Sequence, residues 1–508
     1  MHYVIGSGPA AVSCAMAVLN RGEEVTMLDA GFALEPDAAR AVAEMSRQTP
    51  GEWGSESLAR MKVLAHAGGA PRKLVYGSSY AYRRPDGYAE AEGKGVDFAP
   101  SFAIGGLSNV WGAAMLPYRQ EDIDEWPIGV EELAPYYARV LEFVPLTGRL
   151  DALAALFPLY TSAFQEHTTS RQGARVLRAM ERHREALNRE GISFGSSRLA
   201  VETKGCVYCG MCMFGCPYDL IYSSRHTLSR LGERRGFRYL GGVVVERFAE
   251  RGGAVAIEGR TLSGEPVSFE GERLFLGAGP LPTTQIVMDS LEIDETTLLD
   301  SQYFRLPLLQ ATGGGARREE LHTLAQAFIE LLDPAISRRT VHMQLYTYND
   351  IYELELRRRF GRLYPFMPAG PVLDRMLLIQ GFLHSDDSLK VRVRRRGSRL
   401  SLHKVKDSRP RQTVGRVARK LARNSLRIGA APLLPLLEVE LPGRSFHDGG
   451  TLPMRANPQS GQTDTLGRPA GLQRVHVIDS SVFPTIPATT ITLSVMANAY
   501  RIGAEHAD

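Results

Sequence analysis

Four cysteines within eleven residues, Cys206, Cys209, Cys212 and Cys216, carry the most specific chemistry in the sequence. They stand in the run Gly205-Cys-Val-Tyr-Cys-Gly-Met-Cys-Met-Phe-Gly-Cys-Pro217. The spacing C-x2-C-x2-C-x3-C-P folds three or four thiolates around one cubane-type iron-sulfur cluster. Zinc is the alternative, because four close cysteines also make a closed tetrahedral site, although zinc sites usually pair two C-x2-C knuckles across a longer gap. Bacterial ferredoxins give the fourth cysteine of this run to a second cluster. No second cysteine set exists here, since the fifth cysteine, Cys14, falls at an apolar helix position that suits packing. The expectation is one local centre, 4Fe-4S or 3Fe-4S.

A second chemical signal lies at the start of the chain. His2-Tyr-Val-Ile5 reads as a short buried strand, and Gly6-Ser-Gly8-Pro9-Ala10-Ala11 turns from it into an apolar helix running to about Leu19. Val25 to Leu28 reads as the next strand and ends on Asp29, 21 residues after Gly8. In such a unit the glycines let the backbone approach a pyrophosphate at the positive end of the helix, and the acid accepts hydrogen bonds from the ribose hydroxyls. Ala11 in the third position does not separate FAD from NAD. A further strand and glycine turn, Arg273 to Gly279, follows an alternating meander from Gly242 to Phe269.

Phe446-His447-Asp-Gly-Gly-Thr451 and Val475-His-Val-Ile-Asp479-Ser-Ser-Val-Phe-Pro-Thr485 resemble the closing motifs of the glucose-methanol-choline (GMC) oxidoreductases, and a final helix pattern over 490–504 fits them. Ile104-Gly-Gly-Leu-Ser-Asn-Val-Trp-Gly112, with Asp124-Glu-Trp-Pro127 and Tyr136-Tyr137, looks like the segment that this family lays along the flavin. The resemblance implies an α/β chain, with a Rossmann-type FAD domain assembled from dispersed segments and a substrate domain bearing a mixed or antiparallel sheet. The segments are 1–199, 226–289 and 444–508 for FAD, 200–225 for the cluster loop and 290–443 for the substrate domain. Gly105, Gly106, Ser108 and Asn109 would approach the isoalloxazine, and Asp479 the ribityl chain or pyrophosphate. His447 would be the base that takes the hydroxyl proton of an alcohol or sugar while its hydride leaves for the flavin. A neutral imidazole suits that duty, with an ordinary pKa near 6.5. The family's second active-site position, histidine or asparagine, falls on Thr490, which can orient a substrate oxygen but cannot share the proton. Cys206, Cys212 and Cys216 also match the three-cysteine 3Fe-4S spacing of membrane-linked sugar dehydrogenases in the same broad family, with Cys209 as an addition.

A flavin collects a hydride, whereas an iron-sulfur centre passes single electrons, so the chain would need a one-electron carrier such as a ferredoxin, a cytochrome or a quinone. That expectation disfavours oxygen as the main acceptor. A reductase running in the opposite direction and an electron-transfer flavoprotein without its own substrate are the rival readings.

The surrounding elements must position these groups. With 508 residues, 44 % hydrophobic and 23 % charged, the chain can bury two or three cores. A net charge of +4 gives no general argument for nucleic acid. No signal peptide is visible, so cytoplasmic residence is expected, and no apolar run reaches the roughly 18 to 20 residues of a membrane span. Arg392 to Arg399 and Arg411 to Arg423 are local basic runs. The second, with Val414, Val417, Leu421 and Leu426 loosely on one side, reads as a solvated helix over a core or as peripheral contact with an anionic membrane. Thr340 to Tyr348 and Arg375 to Leu383 read as strands that roof the flavin, with Gln344, Tyr346, Tyr348 and Gln380 available to a polar substrate.

Overall fold

The computed structural model describes residues 1–65, 72–88, 91–312, 319–366, 368–397 and 399–507, so Ser398 of the first basic run lies outside the described residues. Its centre is a five-stranded parallel sheet, ordered Val475–Val477, Arg273–Leu276, His2–Ile5, Val25–Asp29, Phe237–Gly241. The inner strands are short and buried on both faces, as the apolar runs Val4-Ile5 and Met27-Leu28 require, whereas the edge strand Phe237–Gly241 has no fully buried residue. The first helix, Pro9–Asn20, packs on this sheet, and the last helix, Thr492–Glu505, packs on the first. The meander forms three antiparallel strands, Val243–Arg251, Ala254–Thr261 and Pro266–Gly271.

A second sheet runs Ala430–Pro432, Tyr303–Gln310, Met376–Phe382, Val341–Tyr346, Ala327–Leu331, Ile192–Ser196, all antiparallel. The edge strand Ile192–Ser196 comes from the N-terminal part of the chain, because helix Arg171–Arg182 lays Val176 and Met180 into the core of this sheet. Helix Arg409–Arg423 covers the same core with Val414, Val417, Ala418 and Leu421, all essentially inaccessible to water. Its apolar face is therefore spent on packing, and Leu426, grouped with that face by spacing, instead points outward at 92 % exposure. Among the described residues no helix is long and apolar enough to cross a membrane.

The crossing of the first and last helices depends on small residues. A Cβ on Gly503 would lie 2.8 Å from the Cys14 carbonyl oxygen and 3.1 Å from both Cys14 Sγ and Ala17 Cβ. Cys14 is fully buried there, and the loss of hydration pushes its thiol well above the usual range. Gly503→Ala is expected to overpack this crossing at a cost of about 1–3 kcal/mol, read as a lower thermal denaturation midpoint. An unchanged midpoint would show that the helices can part without penalty.

Candidate active site

The parallel sheet ends in a cavity of about 580 Å³, lined by Gly6, Gly8, Asp29, Gly106, Gly279 and Asp479 among others. Two helices start at its wall, Pro9–Asn20 after Gly8 and Pro280–Ser290 after Gly279, and neither has a side-chain cap. Their first amides are left for an anion, as a pyrophosphate site demands. Pro9 and Ala10 also line the cavity, while Ala11 is buried in the core between helix and sheet. Gly6 has φ of +90°, and a side chain there would meet the Gly277 carbonyl oxygen at 2.7 Å.

Asp29 is buried, and burial raises it to about 6, with hydrogen bonds from Ser7, Tyr239 and backbone amides opposing the shift. Ser7 Oγ donates to Asp29 at 2.5 Å and accepts the Gly105 N–H at 3.0 Å. That hydroxyl joins the glycine turn to the segment expected along the flavin. A Cβ on Gly106 would stand 3.3 Å from Gly8 Cα, so the two segments touch through backbone. Ser108 and Asn109 act differently from the expectation. Ser108 Oγ donates to the Gly105 carbonyl and meets Ser223 and Ser224, and Asn109 Nδ2 donates to the carbonyls of Ile104 and Gly106. Their polar atoms hold the loop in shape and tie it to Ser223 and Ser224. Asp479 accepts Gly279 N–H at 2.9 Å, Thr283 Oγ1 at 2.6 Å and Ser481 N–H at 3.0 Å. It thus caps the Ser480–Val482 turn and walls the cavity at once.

His447 stands between Phe446 and Asp448, both of which line the cavity, but its ring turns onto Phe382, with centroids 4.8 Å apart. Its Nδ1 is buried without a hydrogen-bond partner. Burial, with His342 adding to it, lowers its pKa from 6.5 to about 3, so the ring is neutral. The loop is pinned by Asp300, which accepts Gly443 N–H and Ser445 Oγ, and by Ser445 Oγ, which accepts His447 N–H at 3.0 Å. Thr490 is engaged with backbone, its Oγ1 accepting Leu116 N–H at 2.7 Å, whereas the neighbouring Thr489 Oγ1 is buried and unpaired.

Sequence reading missed His342. Period-two alternation on Val341–Tyr346 puts His342, Gln344 and Tyr346 on one face. Tyr346 O–H donates to Gln344 Oε1 at 3.0 Å, the Gln344 amide meets His342 Nε2 at 3.2 Å, and His342 Nδ1 meets Glu330 Oε1 at 2.8 Å. With the Gln344 amide N–H donating to Nε2, the His342 ring proton sits on Nδ1 and every link runs one way. The two polar residues named from the sequence here, Gln344 and Tyr346, belong to this chain. Tyr348 turns instead to Asp350 and Glu353, and Gln380 is half-buried opposite Gln344 in the sheet.

The four cysteines lie on an irregular loop with positive φ at Gly205, Tyr208, Gly210 and Gly215. Burial raises the thiols of Cys206, Cys209 and Cys216, the last two to about 11 and about 12, and the backbone N–H groups of Tyr208, Met211, Tyr218 and Leu220 oppose the rise. Among the described residues no three of these sulfurs converge within 4.8 Å. Four thiolates on one zinc at about 2.3 Å would be only about 3.8 Å apart. The loop is tied to the cavity. Trp111 Nε1 donates to the Tyr222 carbonyl at 2.8 Å, Ser224 Oγ donates to the carbonyls of Ser7 and Gly105, and Tyr76 O–H donates to the Cys216 carbonyl. Lys73, also missed from the sequence, donates to the Trp111 carbonyl at 3.2 Å; burial lowers it to about 8, and the charges of Cys212 and Cys216 oppose that shift.

Residues 419–499 match the family model of the GMC oxidoreductase C-terminal domain. The whole chain is similar in structure to pyridoxine 4-oxidase from Mesorbium loti, with a TM-score of 0.63, 14 % identity, and 99 % of this chain and 98 % of that one covered. It is equally similar to a formate oxidase, with a TM-score of 0.64, 12 % identity, and coverage of 99 % and 97 %. The same values hold for a variant formate oxidase from Aspergillus oryzae RIB40 altered in FAD modification. No curated protein matches in sequence. The fold is the one that these solved structures share, and the GMC oxidoreductase match is confined to residues 419–499.

His447 also makes stability depend on pH. Its folded pKa of about 3 lies below the ordinary 6.5, so between those values the unfolded chain binds a proton that the folded chain does not. Stability from this group is full above 6.5 and falls as pH drops toward 3. In His447→Gln the thermal midpoint should fall less steeply than in wild type from about pH 6.5 to about pH 4. Identical slopes would contradict a neutral His447.

Proposed function

We propose that the chain is a FAD-dependent dehydrogenase that oxidises a CH–OH group of a small alcohol, polyol or sugar and releases electrons singly through an iron-sulfur cluster. The observation that carries this reading is the neutral His447, whose buried Nδ1 has no partner and whose neighbours line the nucleotide cavity. Gly6, Gly8, Pro9, Ala10, Ala11 and Gly279 would hold the pyrophosphate of FAD, and Asp29 the ribose. Gly105 and Gly106 would approach the ring, with Ser108 and Asn109 shaping their loop, and Asp479 would reach the ribityl side. Bound FAD supplies a two-electron hydride acceptor. His447 accepts the substrate's hydroxyl proton, and because burial keeps it unprotonated the nitrogen is ready before substrate enters. Thr490, or the unpaired hydroxyl of Thr489, orients the substrate oxygen. Phe382 and the Tyr346-Gln344-His342-Glu330 chain form a fixed polar and aromatic wall beside the base.

Cys206, Cys209, Cys212 and Cys216 would hold the cluster, 4Fe-4S if all four bind and 3Fe-4S if three do. The cluster supplies one-electron transfer to an external carrier. Support comes from the spacing and from the direct links of the segment that follows this loop to Gly105 and Trp111. Because the similar solved structures are described as oxidases, the acceptor is the point that a test must decide.

Anaerobic mixing with a panel of alcohols and sugars should bleach the bound flavin with at least one of them, and His447→Ala should slow that bleaching by about 10²–10⁴-fold. Cys216→Ser should bleach at the wild-type rate yet lose delivery to a one-electron dye. Protein prepared without air that contains zinc and no iron, or stoichiometric hydrogen peroxide in turnover, would defeat the relay. A flavin reduced by none of the panel would defeat the dehydrogenase reading.

A further inference from the structure

The edge of the parallel sheet remote from the nucleotide cavity holds a cluster that the redox chemistry does not use. His2 opens the first strand, Glu23 sits in the turn between the first helix and the second strand, and His506 directly follows the last helix. Both imidazole Nε2 atoms come within 3.0 Å of Glu23 Oε2, and the three atoms all lie within 4.8 Å of one another. Both histidines are under 5 % exposed. Both rings stand at ion-pair distance, yet the buried Glu23 Oε2 accepts no hydrogen bond of ordinary geometry, and His2 Nδ1 is buried without a partner as well.

The tautomer of His506 sharpens the case. Its Nδ1 lies 2.8 Å from the Gly503 carbonyl oxygen, which can only accept, so the ring proton is on Nδ1. With that proton on Nδ1, the Nε2 of a singly protonated His506 turns a lone pair toward a carboxylate oxygen 3.0 Å away, an arrangement that repels unless a cation lies between. A metal-binding histidine characteristically donates its other N–H to a carbonyl or carboxylate. Glu23 Oε1, meanwhile, accepts from Arg21 Nε at 3.1 Å, which leaves Oε2 as the single free ligand atom.

We propose that His2, Glu23 and His506 bind one divalent ion of the zinc type, which staples the first strand to the end of the chain. Two imidazole nitrogens and one carboxylate oxygen suit a borderline ion at about 2.0–2.2 Å, with water completing the shell. Being at the opposite edge from Gly6 and Gly8, the ion takes no part in the redox chemistry. It fixes the last helix, which follows the catalytic motif, against the strand that carries the glycine turn.

The test uses full-length flavin-loaded protein, dialysed against zinc chloride and then against metal-free buffer near neutral pH. The cysteine loop can also take zinc, so the readout is a difference in metal content. Wild type should retain one zinc more than His506→Gln and one more than Glu23→Gln, at equal iron and flavin content. Zinc-edge X-ray absorption should give this ion nitrogen and oxygen neighbours only, and zinc should raise the denaturation midpoint of wild type but of neither variant. Glu23 is partly exposed, so Glu23→Gln carries the test if His506→Gln fails to fold. Equal zinc in wild type and variant, or sulfur neighbours for the extra ion, would overturn the proposal.

Discussion

The parallel pairing of Val475–Val477 with Arg273–Leu276, and of that strand with His2–Ile5, is the constraint on which the other features rest. Three strands from the end, the middle and the start of the chain share one buried sheet. Parallel neighbours all leave their C-terminal ends on one edge, so the loops that follow them converge there. Gly6 to Gly8, Gly277 to Gly279 and Asp479 therefore face a single cavity. Had any of these strands paired antiparallel, its loop would lie at the opposite edge.

Convergence has an electrostatic consequence. Asp29, Asp448 and Asp479 are brought into one poorly hydrated space, and burial raises all three, Asp448 to about 8 with Asp300 and Asp479 reinforcing the shift. His447 is driven the other way, to about 3, by the same loss of water. Desolvation thus disfavours the charged form of each of these four groups.

The second sheet and the cysteine loop are fitted to this centre by a few directed contacts. Phe382 stacks on His447, while the chain from Tyr346 to Glu330 consumes its own polar atoms and leaves an ordered wall. Lys73 and Trp111 join the loop that bears Cys216 to the segment at Gly105.

The sequence by itself determined the local units: the strand, glycine turn and helix to Asn20, the meander, the cysteine spacing and the strands near 341–346 and 376–382. Each is legible because its signal is a period or a spacing within about ten to thirty residues. Tertiary structure decided what such signals cannot encode. Ile192–Ser196 is recruited across the chain into the second sheet, and Leu426 is turned outward although its spacing grouped it with the buried face. Ser108 and Asn109 engage both their own loop and the distant Ser223 and Ser224, and Thr490 bonds Leu116 backbone while Thr489 keeps the unpaired hydroxyl. His342 became visible as a neighbour of His447, and Lys73 as a neighbour of the cysteines, only when distant strands and loops packed. His2, Glu23 and His506 meet for the same reason: the last helix must cross the first at Gly503, and that crossing is a property of two surfaces, not of either segment alone.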